Sequence, residues 1–257
     1  MTMLIDYFRE LRAGSGKVVD SVQLPDYFAT ALSNAFKKSE SIGKEVGAAI
    51  SWTSDADIIR AGSLSIGQPT SVNIPIPDDP VWVGKFHTHP TLSIGHKGGY
   101  AAHSMLDLMT FKDTKDRDYF FQFVASGPRT YLMVQVKGLS IYDPSADQFL
   151  IDRNKVEEVE KEKAFPRKEF DARVRKHKAT LLKEGKAQPF VKPPKGPDDY
   201  NYDMDYDLLD RWTTELKLAS NMGAVVEPLS IKHCKEFAQR FNYAFYQGEG
   251  DAMRKVA

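Results

Sequence analysis

The chain has 257 residues, and its 35 lysines and arginines balance 35 aspartates and glutamates. A net charge of zero gives no global field to favour nucleic acid or an anionic membrane, and no apolar run approaches the roughly 20 residues that span a bilayer. One cysteine, Cys234, excludes a disulfide framework and a cysteine-based zinc cluster; with MTMLIDYFRELRAGSG lacking the apolar core of a secretory signal, a cytoplasmic location is expected, signal-independent secretion remaining open.

In chain order, Leu24, Phe28, Ala31, Leu32 and Phe36 fall at helical spacing and predict an amphipathic helix over Leu24–Lys38, broken near Gly43. Val46–Trp52 and Ile58–Ile66 read as two strands joined by the turn residues SDAD. A proline-containing loop and the short apolar strand VWVGKF follow. Ser104–Lys112 reads as helical, and YFFQFVASG, TYLMVQVKG and LSIYDP as an antiparallel run. The expected fold over residues 20–148 is therefore mixed α/β, with a largely antiparallel sheet and flanking helices.

Residues 149–257 differ in character and are expected to form a charged, mainly helical extension. Ile151–Lys186 carries dense charge of both signs and reads as solvated helices interrupted near Pro166. A proline-rich linker lies near residues 186–205, and helices are expected over Leu208–Met222 and Leu229–Tyr246. In the last, Phe237, Phe241 and Phe245 recur every four residues, an apolar stripe that packs on this chain's own domain or on a partner or second copy.

Four of the six histidines crowd one stretch, GKFHTHPTLSIGHKGGYAAHSMLDLMTF, as His87, His89, His96 and His103. On a strand, His87 and His89 project to one face while Thr88 faces away. Ser104 and Asp107, three apart in the following helix, share a face of their own. Two imidazoles and a carboxylate make an open zinc site, with the fourth position left to water. Each half alone has a plainer reading: a structural His-x-His, and a serine that caps the helix. Together they favour the metal. A hydrolytic centre also needs a base close to the metal but not bound to it. No glutamate lies between Val46 and Phe86, so Glu45, at the mouth of the first strand, is chosen over Glu40, with a solvated turn residue as its alternative.

Assembled, Glu45, His87-Thr88-His89-Pro90 and Ser104-Met105-Leu106-Asp107 resemble the JAMM motif of the MPN-plus zinc metalloproteases. The order of elements over residues 20–148 is also similar to that fold. The resemblance implies one Zn²⁺ per chain on His87, His89 and Asp107, Glu45 as general acid/base, and Ser104 stabilising the oxyanion. It implies cleavage of peptide or isopeptide bonds at the C-terminal tail of ubiquitin or a ubiquitin-like protein. One departure is the stretch between His89 and Ser104, whose fourteen residues, Pro90 to His103, exceed the family's usual spacing. This stretch carries His96, Gly98, Gly99 and His103, and is read as a substrate-gating loop or a neutral insertion of ordinary loop residues. The competing functions are a catalytically silent MPN scaffold and a zinc amidohydrolase of a non-protein substrate.

Overall fold

The computed structural model describes residues 1–68, 71–75, 82–90, 101–113, 119–164 and 218–257. The charged stretch beyond 164, the linker near 186–205 and the first part of the helix expected at Leu208 lie outside the described residues. Near the N-terminus, where the sequence reading placed no element, Leu4, Tyr7, Phe8 and Leu11 are buried at one-face helical spacing and form α1 (Leu4–Arg12). α2 (Asp26–Ile42) buries Phe28, Leu32, Ala35 and Ser39 along one stripe. Gly43, at φ 62°, ends it in the left-handed region that a Cβ would penalise.

The strands are β1 (Thr2–Met3), β2 (Ser21–Gln23), β3 (Val46–Thr53), β4 (Ile58–Ala61), β5 (Ser65–Ile66), β6 (Trp82–Thr88), β7 (Phe121–Ser126), β8 (Arg129–Val134), β9 (Ala244–Glu249) and β10 (Ala252–Lys255). They form one sheet in the order β1-β2-β10-β9-β8-β7-β6-β3-β4, and β5 pairs with β3 beside β4. The sheet is mostly antiparallel, as expected. Its parallel pairs are β1–β2 and β6–β7. A parallel pair needs a crossover, and α3 (Met105–Lys112) supplies it between β6 and β7.

Helices cover both faces. α1 and α2 pack with Phe86, Phe121, Phe123, Leu132 and Tyr246 on one side. On the other, α3, α4 (Pro144–Ala164) and α5 (Leu218–Phe241) pack with Val124, Tyr131, Met133 and Phe245. Among the described residues, no helix is long and apolar enough to cross a membrane.

Several expected elements come out differently. Ile58–Ile66 is two short strands, parted at Gly62, whose N–H bonds to Ala49 C=O at 2.8 Å. LSIYDP is not a strand. Its end turns into α4, because Asp143 Oδ1 accepts the Ser145 N–H at 2.8 Å and starts the helix at Pro144 instead of Ile151. The helices expected over Leu208–Met222 and Leu229–Tyr246 run together through Pro228 as α5, which ends at Phe241, where Asn242 takes φ 57° and turns the chain into β9. Phe237 and Phe241 lie on α5 and Phe245 on β9, yet all three fill the same core. The stripe covers this chain's own sheet. β9 sits between β8 and β10, so the sheet draws strands from both sides of residue 149.

Candidate metal centre

The centre lies at the C-terminal end of β6, where the chain leaves the sheet for the crossover helix, a position that commonly holds ligands in α/β sheets. Phe86 and Thr88 face α2, so His87 and His89 face the α3 side. Asp107 meets them from the first turn of α3. His87 Nε2 stands 3.1 Å from His89 Nε2 and 3.2 Å from Asp107 Oδ1, and His89 Nε2 lies 3.5 Å from Asp107 Oδ2. One ligand atom from each residue falls within 4.8 Å of the others. The two imidazoles are buried; the carboxylate is partly open to solvent.

Supports around the triad fix which atoms face its centre. His89 Nδ1 lies 3.1 Å from the Ala101 C=O, which can only accept; Nδ1 therefore carries a proton, and in the neutral ring the Nε2 lone pair points inward. Ala101 is itself held, its N–H donating to Ser126 Oγ at 3.0 Å while the Ser126 hydroxyl donates to His89 C=O at 3.3 Å. The serine-aspartate pair forms a complete capping box: Asp107 N–H donates to Ser104 Oγ at 3.2 Å, and Ser104 N–H donates to Asp107 Oδ2 at 2.7 Å. The Ser104 hydroxyl also donates to Oδ2, at 2.7 Å. Its proton is spent on the carboxylate, so in this arrangement Ser104 aims Asp107, and serving an oxyanion requires the hydroxyl to rotate away. Burial works to raise the Asp107 carboxyl, but His87 and His89 outweigh it and hold the group well below the usual carboxylate range.

An inward lone pair, an acceptor-only carboxylate and a second imidazole nitrogen converge on one point. Such a donor set suits a divalent cation: nitrogen and oxygen donors in the numbers of an open zinc site. The triad expected from sequence is brought together as a whole.

Glu45 is placed by register. β3 and β6 pair antiparallel with Gly47 opposite His87, so the same register carried two residues further sets Glu45 opposite His89. Residues directly opposite share a face, which puts Glu45 on the side of the two imidazoles. It is buried, and it does not belong to the ligand group. Gly47 leaves the space His87 occupies: a Cβ there would stand 3.1 Å from His87 Cβ and 2.6 Å from Phe86 C=O.

The backbone around Glu45 is pinned by groups that sequence reasoning missed. Val46 N–H donates to Thr88 Oγ1 at 2.9 Å, the Thr88 hydroxyl to Ser39 Oγ at 2.7 Å, and the Ser39 hydroxyl to Lys44 C=O at 2.6 Å. Glu45 N–H donates to Gln68 C=O and its own C=O accepts from Gly67, both at 2.9 Å. Thr88 is thus the strand's outward-facing staple to α2. The only sequence signal for it is its place between two inward residues.

Of the gating-loop residues, His96, Gly98 and Gly99 lie outside the described residues. His103 is buried, its ring edge-on to Phe245 at 6.3 Å, and among the described residues neither ring nitrogen has a hydrogen-bond partner. Burial, assisted by the nearby His87, His89 and Lys85, pushes its pKa down to about 3 although Asp107 opposes the shift, so the ring is neutral. It is a core residue, not a surface-loop histidine. α5 reaches the same segment, with Ser230 Oγ accepting from Ala102 N–H at 3.0 Å and the Cys234 thiol directed at His103 C=O at 3.6 Å.

No family model, curated protein or solved structure matches the chain.

Proposed function

We propose that this chain is a zinc-dependent peptidase or isopeptidase of the JAMM/MPN-plus kind, acting at the C-terminal tail of ubiquitin or a ubiquitin-like protein. The observation that carries the reading is the convergence of His87, His89 and Asp107 with Glu45 on the same face of the sheet. Zinc, if held there, would supply Lewis acidity toward a carbonyl and toward a water whose pKa it would bring down to roughly 7. The chain's own residues do the rest. His87, His89 and Asp107 would hold the cation, with Ala101 and Ser104 fixing the direction of two of the three. Glu45 takes a proton from the attacking water and returns it to the leaving amine. The pinned backbone on either side keeps that carboxylate from wandering.

Elemental analysis of purified protein, wild type beside His89→Ala, tests the first half: one zinc per chain, lost in the variant, is the expected result. Cleavage of ubiquitin-like fusions by the wild type, abolished in a zinc-loaded Glu45→Gln, tests the second. Zinc without Glu45-dependent cleavage of any protein substrate would sink the peptidase and leave a scaffold or an amidohydrolase. No zinc after reconstitution would sink every metal-based reading.

A further inference from the structure

Two residues before His87, on the same face of β6, stands Lys85. Its register partner is Ala49, so no side chain of comparable length opposes it from β3. α3 runs back along β6: Asp107 in its first turn meets His87 and His89, and Thr110, one turn on, meets Lys85, with Nζ donating to Thr110 Oγ1 at 3.3 Å. The Thr110 hydroxyl itself donates back to the helix carbonyls of Leu106 and Asp107, each at 3.0 Å. The lysine is half-buried, while Leu106 and Thr110, four apart on the outer side of α3, are exposed. The amine therefore emerges beside the partly open carboxylate of the triad.

This cation has no ion pair among the described residues. Lys112 on the same helix is different, being paired with Asp113 at 2.9 Å and Asp147 at 3.2 Å. Burial works against the charge of Lys85, and the Asp107 carboxylate works to keep it. Once Asp107 is committed to a divalent cation, no ion pair among the described residues offsets the ammonium beside it. An ammonium has three donors, and Thr110 takes one. Two donors of a half-buried amine are thus left for a ligand, beside the triad.

We propose that Lys85, oriented by Thr110, is a carboxylate-binding subsite, and that the substrate carries a carboxylate within about one dipeptide of strand, roughly 7 Å, of its scissile carbonyl. The inference rests on the metal-peptidase reading and adds a substrate class to it: a chain acidic next to the cleaved bond, through a side chain or a free C-terminus.

The test uses the full chain loaded with cobalt(II) in place of zinc, whose visible spectrum reports ligation directly. Adipic acid monohydroxamate carries a metal-binding head and a carboxylate at the required reach; its terminal primary amide is the neutral control. Wild type is expected to bind the acid about tenfold more tightly than the amide, the scale of one charge-assisted hydrogen bond. Lys85→Met should erase that preference with the amide's affinity unchanged, and Lys85→Arg should keep it. Equal affinities in wild type, or a preference that survives Lys85→Met, overturn the subsite while leaving the metal centre intact. Absence of a cobalt spectrum overturns the metal reading, and the subsite with it. Peptides presenting the carboxylate as a neighbouring side chain or as a free C-terminus, used as competitors, separate the two sources. Whichever displaces the hydroxamate only when Lys85 is present is the source, and if neither does the proposal falls.

Discussion

Replacing Thr88 by valine keeps the shape of the side chain and removes one buried oxygen. That oxygen accepts the Val46 N–H and donates to Ser39 in a region with no solvent access. Valine leaves Val46 N–H without an acceptor, while Ser39 keeps its bond to Lys44 C=O. A buried backbone donor stranded in this way costs about 1–3 kcal/mol. For a chain of this size that lowers the melting temperature by roughly 2–12 °C, taking about 2–4 °C per kcal/mol. Thr88→Ser retains the oxygen and should recover most of the loss. Neither variant touches the triad, so zinc content should stay at the wild-type level while cleavage falls, because the staple secures the segment bearing Glu45. Urea or thermal denaturation beside elemental analysis decides it. A Thr88→Val protein as stable as wild type would refute the assignment of that relay, and one that loses zinc would place Thr88's effect on the ligands and not on Glu45.

Gly47→Ala drives a Cβ to 2.6 Å from Phe86 C=O and 3.1 Å from His87 Cβ, so β6 must move away from β3; zinc affinity should fall about 10–100-fold, the range for disturbing a ligand's support, as read by competition with a chelating dye. In the metal-free protein, Asp107 has a folded pKa below its unfolded value of about 3.9. The stability it contributes is therefore full above that value and is lost as pH falls through the folded pKa. Acid denaturation followed by circular dichroism should show a flatter acid limb for Asp107→Asn than for wild type. His103→Leu removes two ring nitrogens that have no hydrogen-bond partner among the described residues, so its melting temperature should match or exceed that of wild type with zinc retained; loss of zinc would make His103 part of the centre. Cys234 is buried with its thiol pushed far above the usual range by that burial, and it should resist thiol reagents until the chain unfolds.

The triad was legible because its information is local. His87 and His89 need only the two-residue period of a strand, and Ser104 and Asp107 only the first turn of a helix. Glu45 was legible by elimination, but its place came from a pairing between β3 and β6 that no local pattern specifies. Lys85 carries the same two-residue signal as the histidines, but a single lysine on a strand does not by itself mark a ligand site. His103 reads from sequence as a loop residue, since its burial depends on Phe245 and Cys234, more than a hundred residues downstream. The final strands were missed for a different reason. AFYQGE and AMRK flank Gly250-Asp251, a two-residue turn with Gly250 at φ 67°, and Gly-Asp between such runs is a hairpin signal. The phenylalanine spacing that runs into it imitates a helix and drew the reading away.

The place of β9 also sets the order in which the molecule can be finished during synthesis. Strands β6, β7 and β8 and the whole ligand set leave the ribosome well before residue 244, yet β8 waits for β9 to cover its open edge. Until then a row of unpaired N–H and C=O groups is presented to any neighbouring chain. Ser230 and Cys234, which hold the segment ahead of Ser104, also arrive only with α5. A ribosome-bound chain stalled after residue 217 should therefore be prone to edge pairing, and docking of residues 218–257 both closes the sheet and completes the packing around the segment ahead of Ser104.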